Sequence, residues 1–346
     1  MRTYLDHNAT TPLRAEARDA MIAAMDIVGN PSSVHAEGRA AKGLLERSRA
    51  ALAEALGAAK ADVVFTSGAT EAAALALAGK DYVASGLEHA AVAAWVEPRL
   101  SVVDGVVQMA DPARSVVQLA NSETGLLQKV DGVAVSDITQ GFGRVPFAFD
   151  WSGVGSAILS AHKFGGPKGV GALVVPQGAD VSAQIKGGGQ EMGRRSGTES
   201  LILIAGFAAA AAAAQKDLAD GRWDAVAELR NILEKAIEDA APDTIFVRKG
   251  AARLPNTSCF ISRGWKGETQ VMAMDLAGFA VSAGSACSSG KVKASSVLPA
   301  LGYDDGQATC ALRVSLGLET TEEDVLRFAD AWARQHKKIA AKLAAE

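Results

Sequence analysis

The sequence predicts an α/β protein in which a mostly parallel sheet forms a large domain and a smaller α+β domain follows. From about residue 60, short β-branched runs alternate with helical windows rich in alanine and leucine, a pattern typical of a parallel sheet covered on both faces. After residue 176 a glycine-rich loop leads into two long helical windows, and beyond Pro242 the strands are sparser. We therefore expect a large domain over 13–241 and a small domain made of 1–12 and 242–346.

Short apolar runs bounded by glycine, aspartate or proline predict the individual elements. The strands of the large domain are expected at "DVVFT" (62–66), "YVAS" (82–85), "SVVQLA" (115–120), "VAVS" (133–136), "AILS" (157–160) and "GALVVP" (171–176). Helices are expected at 199–218 and 223–240. The small domain is expected to hold strands in "TIFV", "TSCFIS" and "ALRVSL", with helices at 268–277 and 322–343.

The composition is that of a well-packed globular chain. Its 346 residues are 49% hydrophobic and 21% charged, and the formal net charge is −4. This charge, without any local run of lysine and arginine, argues against binding to nucleic acid or to an anionic membrane surface. The longest apolar run, 201–214, is short and alanine-rich, which favours a buried helix over a membrane span. The N-terminal residues lack the apolar core of a secretory signal, so we expect a cytoplasmic protein.

Three cysteines, Cys259, Cys287 and Cys310, have neither an even count nor C-x-x-C spacing. A disulfide framework or a zinc site is therefore not expected, and no metal is assigned. Cys259 lies in an apolar strand and Cys310 beside one, so both are expected to be buried and inert. Cys287 lies in "VSAGSACSSGK", a loop of small residues, where a thiol is a candidate nucleophile.

The segment "TSGATE" opens a helix directly after the first predicted strand of the sheet. Ligands of doubly wound sheets bind at the carboxyl ends of strands, where free N–H groups and the helix dipole attract an anion such as phosphate. The alternative is an ordinary helix start capped by Ser67 or Thr70. The sequence has no G-x-x-x-x-G-K-[ST] and no strand-linked G-x-G-x-x-G, so nucleoside triphosphates and dinucleotides are poor candidates.

Two further residues follow predicted strands. Asp137 ends "GVAVSD", where it is either a helix cap or a functional acid, and Lys163 lies between His162 and Phe164. Desolvation would lower the pKa of such a lysine and so favour the neutral amine that Schiff-base chemistry needs. The alternative is a lysine that snorkels to the surface or binds phosphate as a point charge. A phosphate-binding helix, an acid for a pyridinium nitrogen and a lysine are together what pyridoxal 5'-phosphate (PLP) requires of a protein.

The motifs in sequence order resemble those of the PLP-dependent cysteine desulfurases of the NifS/IscS type, within the class V aminotransferase superfamily. The resemblance runs from the first residues to about residue 324. It rests on "YLDHNATTP", "GNPSSVHAEGRAA", "VVFTSGATEA", "EHAAV", "ANSETG", "SDITQ", "SAHKFGGPKGVGAL", "GGGQEMGRRSGTES", "SAGSACSS" and "LRVSLGLETTEED".

This resemblance implies a homodimer of PLP-dependent transferase fold type I with the active site at the subunit interface. It implies that Lys163 carries the internal aldimine, that Asp137 pairs with the pyridinium nitrogen and that Gln140 bonds the ring hydroxyl. His89 would stack on the ring and take part in proton transfer. The phosphate would be bound by Ala69, Thr70, Ser160 and His162, with Thr198 from the neighbouring subunit, and the substrate carboxylate by Arg313 with Asn30. Ser122 replaces an asparagine that in the family contacts cofactor or substrate.

The implied reaction converts L-cysteine to L-alanine, with the sulfur captured as a persulfide on Cys287. A long catalytic loop around Cys287 would pass the sulfur to an acceptor protein, for iron–sulfur cluster assembly or thiolation. Two alternatives stay open at this point. One is a selenocysteine lyase or another class V PLP enzyme, although Cys287 argues against an aminotransferase; the other is a degenerate relative without activity. Arg313 has its own alternative, as a surface ion-pair partner.

Overall fold

The computed structural model describes residues 2–284 and 295–343. Its helices are α1 (Ala15–Met25), α2 (Ala36–Ala55), α3 (Ala69–Leu77), α4 (Ala90–Ala93), α5 (Phe149–Ser152), α6 (Leu201–Ala219), α7 (Arg222–Ala240), α8 (Gly267–Leu276), α9 (Val297–Ala300), α10 (Asp305–Ala308) and α11 (Glu322–Leu343). Its strands are β1 (Thr3–Tyr4), β2 (Ala61–Thr66), β3 (Val83–Ser85), β4 (Glu97–Leu100), β5 (Val102–Val103), β6 (Val106–Val107), β7 (Ser115–Val116), β8 (Ser136–Asp137), β9 (Ala157–Ser160), β10 (Gly171–Pro176), β11 (Ile245–Phe246), β12 (Thr257–Ile261), β13 (Phe279–Ala280) and β14 (Ala311–Ser315).

The main sheet has the strand order β2-β10-β9-β8, and continues through β7 to β3 and β4. A parallel bridge between Val116 and Val135 and a backbone bond of 2.9 Å from Leu119 N to Asp137 O join β7 to β8. The strand pairs are parallel except that β10 runs antiparallel to both β2 and β9. The prediction of a mostly parallel sheet is therefore confirmed.

Helices cover both faces of this sheet, as its apolar strands require. Neighbouring residues along a strand point to opposite faces. In β9, Ile158 packs into one core with residues of α3, whereas Leu159 packs into another with Phe207 of α6. Burial on both faces explains why these strands read as continuous apolar runs rather than alternating ones.

Helix α6 is the one described helix that is long and apolar enough to cross a membrane by length and composition. It packs against α1 and α2, and the side chains of Ile204, Phe207 and Ala211 are buried in the core that they share with the sheet. The expected buried helix is confirmed for this stretch.

Two strands of the large domain agree with the prediction at both ends, whereas a hairpin was missed. β9 and β10 have the predicted bounds, but the run 115–120 forms a regular ladder only over Ser115–Val116. The missed β5 and β6 pair across a two-residue turn, where Asp104 and Gly105 have φ of 51° and 85°. An Asp-Gly pair between two Val-Val pairs is a hairpin signal, because both central residues of this tight turn need positive φ.

A second core lies beside the antiparallel sheet β11-β12-β14. Trp332 of α11 is fully buried there, stacks on Trp265, and donates its indole N–H to Gln270 Oε1 at 3.0 Å. Leu5 belongs to this core, and β1 pairs in parallel with β13. Helix α7 lies within the range assigned to the large domain, but its Trp223 and Leu233 pack into this second core. The boundary at residue 241 stays a prediction.

Candidate active site

A cavity of about 560 Å³ lies at the carboxyl ends of β2, β8 and β9. It is lined by polar side chains that follow different strands, which is where doubly wound sheets bind ligands. The predicted site residues that line it are Ala69, Thr70, His89, Ser122, Asp137, Gln140, Ser160, His162 and Lys163.

The N-terminus of α3 forms one end of this cavity. Its N-cap is Gly68, which has no side chain to cap the helix, so the alternative of a cap by Ser67 or Thr70 is wrong. Gly171 of β10 allows the close approach of this turn, because a Cβ there would lie 2.6 Å from Gly68 Cα. Lys168 lines the same cavity and adds a positive charge. An uncapped helix start beside a lysine favours an anion such as phosphate.

Lys163 is positioned by a short turn that directly follows β9. Its Nζ donates to the carbonyl oxygens of Asn8 and Ala9, at 2.8 and 2.9 Å. Thr11 Oγ1 donates to the Lys163 carbonyl at 2.9 Å, which fixes the backbone of the turn against the N-terminal segment. The lysine therefore turns inward onto residues 8–11, and the alternative of a lysine that snorkels to the surface is wrong.

Asp137 lies at the end of β8 and is 8% exposed. Its Oδ1 accepts the backbone N–H of Thr139 at 2.9 Å. The nearby Glu88 is buried, and burial raises the pKa of its carboxyl well above the usual range, with the charge of Asp137 adding to this effect. Burial thus disfavours a second negative charge beside Asp137.

His89 has one ring nitrogen fixed by the backbone. It is the N-cap of α4, and its Nδ1 accepts the N–H of Ala91 at 3.1 Å. Because Nδ1 is the acceptor, the proton of the neutral imidazole lies on Nε2. The ring is thus held in one tautomer at the wall of the cavity.

Two other histidines near Lys163 are kept neutral by burial. The pKa of His7 is lowered from 6.5 to about 4 by desolvation and the charge of Arg144, and that of His162 likewise by desolvation and the charge of Lys163. The unfolded chain binds protons at these imidazoles from about pH 6.5 downward, whereas the folded chain binds them only near pH 4.

We therefore expect the free energy of unfolding of the apoprotein to fall as the pH drops from about 6.5 toward 4. Urea denaturation at a series of pH values measures this slope. The variant His162→Asn, which cannot be protonated, should have a flatter pH dependence than the wild type. Equal slopes for wild type and variant would contradict the assignment.

The structure does not bring every predicted residue to the cavity. Asn30 and Thr198 are exposed and lie outside its lining, and Asn30 Oδ1 accepts the N–H of Ser32 at 2.9 Å. Cys287 lies outside the described residues. Their proposed roles stay predictions.

Arg313 lies beside the cavity rather than in its lining. It is 2% exposed, its Nη2 pairs with Asp6 Oδ1 at 2.7 Å, and its Nη1 donates to the carbonyl of Ser122 at 3.1 Å. Its alternative as a surface ion-pair partner is wrong, because the arginine itself is buried. Asp6 also accepts the hydroxyl of Ser282 at 2.8 Å, which ties it to the segment that follows β13. In the part of the chain described, Arg313 Nε has no hydrogen-bond partner.

Sequence reasoning missed several residues of the lining. They are Ala9 and Thr10 from the N-terminal segment, Gln118 from the end of β7 and Lys168. Lys168 had a usable signal, since "GPKG" places a second lysine five residues after Lys163 in a glycine-rich turn. The expectation for Cys259 and Cys310 is confirmed: both are buried free thiols, and burial raises the pKa of Cys259 to about 12.

The model of the family described as aminotransferase class V matches residues 3–101 and 110–328. The chain belongs to the class V aminotransferase family.

Relatives of known name in this family are cysteine desulfurases. The chain is 37% identical to the cysteine desulfurase of Cereibacter sphaeroides, over 94% of each chain, and 34% identical to the cysteine desulfurase IscS of Dictyoglomus turgidum, over 97% of this chain and 95% of that one. Among solved structures, a NifS-like protein from Rickettsia africae superposes with a TM-score of 0.89 at 30% identity, covering 97% of this chain and all of that one. The class V fold is the PLP-dependent transferase fold type I that the resemblance implied.

Proposed function

We propose that this protein is a PLP-dependent cysteine desulfurase, which converts L-cysteine to L-alanine and delivers the sulfur as a persulfide on Cys287. The observation that carries the proposal is one cavity that combines the amine of Lys163, the carboxylate of Asp137 and the uncapped start of α3. The names of the relatives support the choice of cysteine as substrate.

The residues of the cavity fit PLP by their chemistry. The N–H groups at Ala69 and Thr70, with the side chains of Ser160 and His162, suit the phosphate. Asp137 would hold the ring nitrogen protonated, Gln140 would bond the ring hydroxyl, and His89 would cover the ring face. When bound, PLP supplies an electron sink for the charge that develops on the substrate.

The chain's own groups then bind the substrate and move its protons. Lys163 would hold the cofactor, and its amine would remove the α proton of cysteine once the substrate has displaced it. His89, with its proton on Nε2, is placed for a second proton transfer. Arg313, whose Nε has no hydrogen-bond partner among the described residues, would bind the substrate carboxylate, and Asn30 would assist it. The thiolate of Cys287 would attack the substrate sulfur, so that an S–S bond forms as the Cβ–S bond of the substrate breaks, and the electron pair of that bond stays with the carbon skeleton that becomes alanine, where the bound cofactor would stabilise it.

A homodimer is part of the proposal, because one predicted contact is missing from the chain's own cavity. Thr198 is exposed on a loop that ion pairs hold in place, with Arg194 on Asp62 and Arg195 on Glu71, both at 2.8 Å. A residue that is held in this way and lies outside the lining of its own cavity suits a neighbour's phosphate. Exposed apolar side chains between the end of α1 and the start of α2 suit the dimer contact; they are Ile22, Met25, Val28 and Val34.

The remaining parts of the proposal are a sulfur-acceptor protein, for cluster assembly or thiolation, and a cytoplasmic location. Ser122 bears on activity through its backbone as well as its side chain. Its carbonyl accepts from Asn8 Nδ2 at 3.2 Å and from Arg313 at 3.1 Å, so the contact that holds Arg313 survives the change from asparagine. We therefore expect an active enzyme rather than a degenerate relative.

The deciding experiment incubates the purified protein and PLP with L-cysteine and measures free alanine and protein-bound persulfide together. We expect both products, with the persulfide mapping to Cys287, and loss of both in Cys287→Ser, because a serine oxygen cannot accept the sulfur. The matched control is Cys310→Ser, a buried thiol outside the cavity, which should retain both.

Three outcomes would contradict the proposal. Alanine without persulfide on Cys287 would exclude the sulfur-transfer step. A yellow protein that releases no alanine would support the degenerate relative. If Cys287→Ser still releases selenide from selenocysteine while the wild type leaves cysteine intact, the selenocysteine lyase is the better assignment.

A further inference from the structure

We propose that Arg144 is a positioning residue of the cofactor site, which orients the amide of Gln140 and holds the backbone that presents Lys163. Arg144 follows β8 in the chain and does not line the cavity, but it contacts Gln140, which does. The inference rests on the proposed function, because it concerns how the same site receives PLP.

Arg144 is a buried guanidinium surrounded by neutral acceptors. It is 3% exposed. Its Nη1 donates to Gln140 Oε1 at 2.8 Å and Asn8 Oδ1 at 3.0 Å, and its Nη2 donates to the carbonyl of Lys163 at 2.8 Å and that of His7 at 3.4 Å. No carboxylate pairs with it among residues 2–284 and 295–343.

Burying a cation without a carboxylate partner costs desolvation free energy that no ion pair offsets. Burial and the charges of Arg313 and Arg14 lower the pKa of Arg144 to about 9, so it is still charged at neutral pH. Apolar residues of similar volume often replace buried charged groups without loss of stability. The bonds that Arg144 makes therefore point to a role in arranging the site rather than in stability alone.

The first effect of Arg144 is to fix which way the Gln140 amide faces. Arginine can only donate and a backbone carbonyl can only accept. Gln140 Oε1 accepts from Arg144, and Gln140 Nε2 donates to Asn8 O at 2.9 Å. A flipped amide would set its NH₂ against the guanidinium and its oxygen against a carbonyl, and both contacts would be lost. The second N–H of Nε2 is thus kept as a donor for an oxygen acceptor in the cavity, such as the ring hydroxyl in its ionised form.

The second effect of Arg144 is exerted through Asn8, which contacts both Lys163 and Gln140. The carbonyl of Asn8 accepts Lys163 Nζ at 2.8 Å and Gln140 Nε2 at 2.9 Å, while its side chain accepts from Arg144. Asn8 Nδ2 also donates to Thr257 Oγ1 of β12 at 2.9 Å. Arg144 therefore holds the shared anchor of two cofactor-contacting residues, in addition to each residue directly.

The test is a double-mutant cycle on PLP affinity. Apoprotein of the wild type, Arg144→Met, Gln140→Ala and the double variant is titrated with PLP, and visible circular dichroism records how rigidly the ring is held. We expect Arg144→Met to weaken PLP binding about tenfold in the wild-type background but less than about threefold when Gln140 is already alanine. The visible dichroism per bound PLP should fall in Arg144→Met.

Two further variants separate positioning from folding. Arg144→Lys keeps a charge but not the planar fork, so we expect it to recover only part of the affinity and dichroism. If thermal unfolding of the apoprotein shows that Arg144→Met does not fold, Arg144→Lys takes its place in the PLP titration. The control is Arg230→Met, a partly buried arginine that donates to Leu254 O away from the cavity, and it should bind PLP as the wild type does.

Equal losses in both backgrounds, or wild-type affinity and dichroism in Arg144→Met, would overturn the inference. If the wild type binds PLP and turns over cysteine, those results leave the proposed function intact. If the wild type binds no PLP, both the proposed function and this inference fail.

Discussion

Replacing Lys163 with alanine is expected to abolish the conversion of L-cysteine to L-alanine, with a loss of at least about 10⁴-fold. The reason is that one amine would serve twice, as the covalent attachment of the cofactor and as the base that removes the α proton. The measurement is alanine release by the PLP-loaded variant at saturating cysteine. Borohydride reduction followed by peptide mapping tests separately whether PLP is joined to residue 163.

The matched control for this variant is Lys168→Ala, because Lys168 lines the same cavity and carries the same charge. We expect it to bind PLP more weakly yet to keep the covalent label at Lys163 and measurable turnover. Lys163→Ala should remain folded, since Nζ donates to two backbone carbonyls of the N-terminal segment. A folded Lys163→Ala that still produces alanine would refute the role of this lysine.

The sequence predicted the part of the site that follows from strand order. Asp137 and Lys163 each end or follow an apolar strand, and neighbouring parallel strands bring their carboxyl ends to one edge. The residue types at this edge then indicated PLP. Because both steps use local patterns, no contact between distant segments was needed.

The contribution of the N-terminal segment could not be predicted in this way. Asn8 and Lys163 are separated by 155 positions in the sequence, and residues 7–11 have no periodic pattern that predicts a contact between them and Lys163. The same holds for Arg313, whose ion-pair partner Asp6 lies 307 positions away in the sequence. Such contacts arise from tertiary packing, which a single sequence does not encode in any local pattern.

Replacing Arg253 with methionine is expected to destabilise the protein by about 3–5 kcal/mol, because it leaves a buried carboxylate without its cation. Arg253 and Glu234 are only 3% and 2% exposed, and form a bidentate pair of 2.8 and 3.2 Å. After the substitution Glu234 would keep the hydroxyl of Ser258, at 2.9 Å, as its side-chain donor. The midpoint of urea denaturation of the apoprotein, at constant m-value, measures the change.

The control variant lies on α7, the helix that carries Glu234. Lys235 of α7 pairs with Asp239 at the exposed surface, and Lys235→Met should change stability by less than about 1 kcal/mol. The double variant Arg253→Met with Glu234→Leu should recover most of the loss, because removing both charges abolishes the desolvation cost. A loss of stability in Arg253→Met as small as in Lys235→Met would contradict this account. So would a double variant that is no more stable than Arg253→Met alone.

We expect loss of the ion pair between Arg253 and Glu234 to affect the substrate site less than it affects stability. Glu234 holds Ser258 of β12, and the next residue, Cys259, is paired in register with Arg313 of β14. Arg313 is also held by Asp6 and by the carbonyl of Ser122, which do not depend on this strand pair alone. We therefore expect folded Arg253→Met to show a raised KM for cysteine with little change in kcat, because the contact that would shift is the one to the substrate carboxylate.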